Sequence, residues 1–122
     1  MKQEHHERKV KNLEHSIGKL DLEQDFELVI EGYILIAAHF LNKTMHISGR
    51  LPEERGIKHN KLAGFIKNEK SFGEKSEEIS FLMDTLENFR PSQVYGRGLN
   101  GKAAEKAREC LEEIKGICKG IL

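Results

Sequence analysis

From Phe26 to about Ile47 the apolar side chains Phe26, Val29, Ile30, Tyr33, Ile34, Ala37, Phe40, Leu41 and Met45 recur at intervals of three and four, with Ile36 and Ala38 widening the stripe. A period of 3.6 residues matches an amphipathic helix and rules out a half-buried strand, whose side chains alternate in twos. A 22-residue helix with one broad greasy face cannot stand alone in water, so it needs neighbouring helices to cover it. The rest of the chain supplies them. Val10, Leu13, Ile17 and Leu20 predict a first helix ending near Gly18, with a polar, frayed amino end. Ile79, Leu82, Leu86 and Phe89 predict another that closes just before Arg90-Pro91. Ala103, Ala107, Leu111, Ile114, Cys118 and Ile121 line one face of a last helix, with Lys102, Glu105, Lys106, Glu109, Glu112 and Glu113 on the other. Leu62, Ala63, Phe65 and Ile66 fit a short helix running to about Lys70.

Punctuation between these stripes agrees with them. Asp21-Leu22-Glu23-Gln24 and Ser71-Phe72-Gly73-Glu74 read as capping boxes, each opening the helix that follows. Gly49 and Pro52 stop the second helix. Short connections between long amphipathic helices favour antiparallel neighbours. The expected fold is therefore all-α: an up-and-down antiparallel four-helix bundle with one additional short helix, and residues 1–122 forming a single domain.

Composition excludes several functions. Lys and Arg together number 20 and so do Asp and Glu, so the formal net charge is zero and no global field gathers nucleic acid or anionic lipid. Any nucleic-acid contact has to be local. No window of eighteen apolar residues exists to span a bilayer, and the start, Met1 to Arg8, lacks the apolar core of a signal peptide. A cytoplasmic protein without a membrane partner is expected. Cys110 and Cys118 are separated by ~12 Å of helical rise, too far for a disulfide, and read as reduced core thiols. His39 and His46 share a helix face but stand ~10 Å apart along it, and adjacent His5 and His6 point in different directions. Neither pair chelates one ion, so no metal site and no cofactor is expected.

Chemistry concentrates in Phe89-Arg90-Pro91-Ser92-Gln93-Val94-Tyr95, where a helix ends, and in the Gly96-Arg97-Gly98 run after it. Gly96-Arg97-Gly98 lacks the Gly-Lys-Ser/Thr ending of a phosphate loop and follows no strand, so it reads as a hinge. Arg90 offers a planar fork of donors that fits a phosphate, or it compensates the negative end of its helix dipole. Lys58, His59, Lys61 and Arg97 complete a ligand-binding patch with Arg90 if the two loops meet at one end of the bundle. Together with Tyr33-Ile34-Leu35-Ile36-Ala37-Ala38-His39-Phe40-Leu41 and Lys58-His59-Asn60-Lys61-Leu62, the Arg90 segment resembles the HEPN domains, all-helical proteins of prokaryotic toxin-antitoxin pairs. The resemblance spans most of the chain. It implies a homodimer, a small nucleotidyltransferase as partner protein, and RNA or nucleotide as ligand.

One departure bears on activity. Ribonucleases of that family carry a His a few residues after the Arg, and here positions 95, 96 and 97 are Tyr, Gly and Arg. Arg90 and Tyr95 then occupy the places of the catalytic pair. A phenol with an ordinary pKa of about 10 donates a hydrogen bond but is a poor base at neutral pH. The expectation is a binding module that meets RNA or nucleotide through a dimer groove near Arg90. The alternatives are a metal-independent endoribonuclease whose base comes from elsewhere, such as His59, and a purely structural interaction protein.

Overall fold

A computed structural model describes residues 2–90 and 100–121. Among the described residues five α-helices follow in order: α1 (Gln3–Ile17), α2 (Phe26–Ile47), α3 (His59–Glu69), α4 (Ser76–Phe89) and α5 (Asn100–Ile121), with a 3₁₀ turn, Gly73–Lys75, leading into α4. No strand occurs among the described residues. α2 is the hub, packing against α1, α5, α4 and α3, while α3 pairs chiefly with α4 and α4 also meets α5.

Hydrophobic spacing explains that role. Val29, Ile30, Ile34, Ala37, Leu41 and Met45 of α2 are fully buried, and the core continues through Leu62 and Ile66, Ile79, Met83 and Leu86, then Ala104, Ala107 and Ile114. At Gly32 a Cβ would lie 2.1 Å from Ile17 Cδ1, so the carboxyl end of α1 seats in a notch that only glycine leaves open.

Helix ends follow from local hydrogen bonding. After α2, Gly49 takes φ 75, the Gly49 N–H donates to His46 O and the Arg50 N–H to Met45 O, the two bonds of a Schellman stop. Asp21 does accept from the Glu23 and Gln24 N–H groups, but Asp25 rather than Gln24 returns a carboxylate to the Asp21 N–H, and α2 starts only at Phe26. The Ser71 box is a correction. Ser76 Oγ takes the Phe72 N–H, and the chain makes the 3₁₀ turn before α4 begins. A frayed amino end is likewise not found, since α1 is helical from Gln3 and buries His6.

Candidate functional site

Asn42 sets the site's geometry. Its position on the buried face of α2 is apolar by pattern, and an amide there has to find partners. The Asn42 Nδ2 donates to Ala38 O and, at 3.0 Å, to Ile57 O, while Oδ1 accepts the Ile57 N–H at 2.9 Å. Both backbone groups of Ile57 are thus clamped to α2, and the next two residues, Lys58 and His59, are delivered over the same helix face.

His59 opens α3 and turns its Nδ1 to Glu87 Oε1 of α4 at 2.5 Å. An ionised carboxylate only accepts, so Nδ1 carries the proton and Nε2 is the ring's remaining donor or acceptor position. Arg90, the residue capping α4, sends Nε and NH2 to the two oxygens of Glu31 on α2, each at 2.5 Å, and NH1 to within 3.8 Å of Glu87 Oε2. Three helices therefore meet through side chains: Glu31 from α2, His59 from α3, Glu87 and Arg90 from α4. The fork is bidentate on Glu31, the strong geometry for a guanidinium.

A cavity of about 250 Å³ lies beside this network, walled by His6, Leu35, Ala38, His39, Ile57 and His59. Its surface is mostly apolar with imidazoles at intervals. His6 and His39 are bonded Nδ1 to Nδ1 at 2.8 Å, which requires one ring to donate and the other to accept. Behind them His46, its ring 5.3 Å from that of His6, shares its Nδ1 proton with Leu51 O at 3.0 Å and keeps a buried Nε2 that has no hydrogen-bond partner.

Burial, reinforced by the positive charge of Lys9, holds the His39 imidazole below its ordinary value of 6.5. The unfolded chain consequently binds a proton that the folded chain resists, and stability falls as pH drops through and below 6.5. Urea unfolding at pH 7.5 and at pH 5.0 is expected to give a lower midpoint at the acidic pH, with a smaller difference in His39→Gln. Equal dependence in both proteins would remove His39 as the cause.

The residues of the expected patch fall in different places. Lys58 and His59 border the cavity and Arg90 joins His59 through Glu87. Lys61 is exposed two residues further along α3 and lines no part of the cavity. Tyr95 and Arg97 lie outside the described residues. Glu31, Glu87, His6 and His39 were not anticipated as site residues. Cys110 and Cys118 are free, with burial raising both thiols, that of Cys118 to about 11. Among the described residues no cluster of three or more His, Cys, Asp or Glu is arranged to hold a metal ion, and no helix is long and apolar enough to cross a membrane.

No protein-family model, curated protein or solved structure matches this chain.

Proposed function

We propose that the chain is a cytoplasmic HEPN-like module, an up-and-down antiparallel bundle of α1, α2, α4 and α5 with α3 as the extra short helix, that takes an RNA or nucleotide phosphate at its Arg90 end. A small nucleotidyltransferase is the protein partner that the resemblance implies. What supports the reading is one carboxylate, Glu87, facing both the His59 imidazole and the Arg90 guanidinium. Phosphate and carboxylate compete for the same fork, so ligand binding amounts to exchanging the Glu31 carboxylate for a phosphate. Glu31 is the exchangeable partner, its side chain 36% exposed against 17% for Glu87. The Glu87 carboxylate stays behind to orient the guanidinium.

A second reading has an observation of its own. The Glu87 contact fixes the proton on His59 Nδ1 and leaves Nε2 as the position that accepts a proton from a ribose 2′-hydroxyl, with Arg90 supporting charge on the phosphorane. Those are two of the roles that a metal-independent endoribonuclease needs. Incubating the purified protein with total RNA, beside Arg90→Ala and His59→Gln, separates the two. Binding without cleavage, weakened in Arg90→Ala, supports the module. Cleavage lost in both variants supports the nuclease. Neither binding nor cleavage leaves an interaction scaffold and overturns both readings.

A further inference from the structure

Tyr33 of α2 keeps only 7% of its surface exposed, and its hydroxyl makes no hydrogen bond with any described residue. A buried phenol normally finds a partner, so this one calls for an explanation. Tyr33 lines an open cavity of about 270 Å³ where α2, α5 and the connection from α1 to α2 meet. That cavity shares no residue with the network of Glu31, His59, Glu87 and Arg90.

Local structure holds the cavity in shape. Ile17 is pinned over Gly32, and Ile17 O takes the Leu20 N–H at 2.9 Å. Asp21 accepts the N–H groups of Glu23 and Gln24, each at 2.9 Å, which fixes the turn that carries Leu22. Ile17, Leu20 and Leu22, with Ile36 and Leu111 from the two long helices, wall the cavity with hydrocarbon.

Charge at the rim is unevenly committed. Glu14 is paired with Lys115, and Glu112 stands 4.0 Å from the same ammonium. Arg108, exposed on α5, joins no ion pair among the described residues. Burial raises the Tyr33 phenol above its ordinary value of 10, with the nearby Arg108 charge pulling the other way and Glu112 adding to the rise. The phenol therefore stays protonated near neutral pH and serves as a donor.

A guanidinium fork and a neutral O–H then offer several donors and one positive charge to a single anion at the mouth of an apolar pocket. The carboxylates of Glu14 and Glu112 oppose a second negative charge, which favours a carboxylate over a phosphate dianion. A neutral apolar guest would leave the Tyr33 hydroxyl as unpartnered as before. The volume lies below the ~300–1,000 Å³ of typical ligand pockets, so the guest has a small body. We infer that this cavity binds a small free carboxylic acid with an apolar body, its carboxylate on Arg108 and Tyr33 and its hydrocarbon against Leu20, Ile36 and Leu111. The inference stands whether or not Arg90 takes phosphate.

Octanoate is the probe, with octanol as its uncharged counterpart and acetate as the same headgroup without a tail. Calorimetric titration of the full chain should show saturable binding of octanoate at one site, at least about tenfold tighter than either control. Methyl NMR should show the accompanying shifts at Ile17, Ile36 and Leu111. Tyr33→Phe and Arg108→Gln should each weaken octanoate about tenfold, as loss of a hydrogen bond to a charged group does. Tyr33→Phe keeps the ring in the core, so its melting temperature without ligand should not fall, and a fall would mark the hydroxyl as structural and count against the inference. A nucleoside monophosphate should not displace octanoate. No saturable binding, octanol bound as tightly, affinity unchanged in either variant, or displacement by the nucleotide would each overturn the inference.

Discussion

Leu86→Asp is expected to abolish the cooperative melting transition. Leu86 is fully buried on α4, in the same core as Ile79 and Met83 and the α2 side chains. The substitution removes about 2 kcal/mol of apolar burial and adds an unpaired carboxylate that costs several more, or a proton taken up to avoid it. A domain of this size is stable by only ~5–15 kcal/mol, so the two losses consume most or all of it. Thermal denaturation followed by circular dichroism, with the amide dispersion of a proton NMR spectrum beside it, reads the result. Leu86→Met keeps the volume and should melt within a few degrees of the wild type. A sharp, unshifted transition in Leu86→Asp would place that side chain outside the core.

At the site the largest effect is expected from the Glu31 and Arg90 pair. Glu31→Gln removes the anion that occupies the guanidinium, so a nucleoside monophosphate should bind roughly tenfold or more tightly, the worth of one charge-assisted contact. Arg90→Ala should abolish that binding. The pair is partly exposed, with side chains 26% and 36% accessible, so its contribution to stability is below about 1 kcal/mol and Glu31→Gln should melt close to the wild type. Calorimetric titration of the two variants distinguishes a ligand site from a strut. A strut predicts a lower melting temperature in Glu31→Gln with no gain in binding.

Much of the architecture was legible because apolar spacing reports directly on burial. The stripes of α2 and α5 named nearly all the apolar side chains that those helices bury, though not the polar Asn42, Thr44, His46 and Lys115, and Gly49 marked the stop that its left-handed backbone makes. Caps were less legible. Asp21 and Ser71 each stand near a helix start with the right neighbours, but Asp25 and Ser76 offer competing oxygens within the same turn, and local geometry decides between them. Site partners were least legible of all. Glu31 and Arg90 are 59 residues apart, and His59 and Glu87 28 apart. Periodicity fixes which way a helix faces, yet such contacts also depend on how far one helix slides along another. Two signals were nevertheless present. His6 stands four residues before Val10 and continues its stripe, which marks the amino end of α1 as docked. Asn42 interrupts an apolar face, and a buried amide generally ties down a neighbouring backbone, here that of Ile57.

Side-chain NMR during a nucleotide titration tests the Arg90 end most directly. With the histidine and arginine side chains labelled with nitrogen-15, adding a nucleoside monophosphate should move the Arg90 Nε and His59 ring signals together while those of exposed His5 and His15 hold still. Arg90 and His59 signals that stay fixed while the nucleotide binds elsewhere, or does not bind at all, would contradict the account.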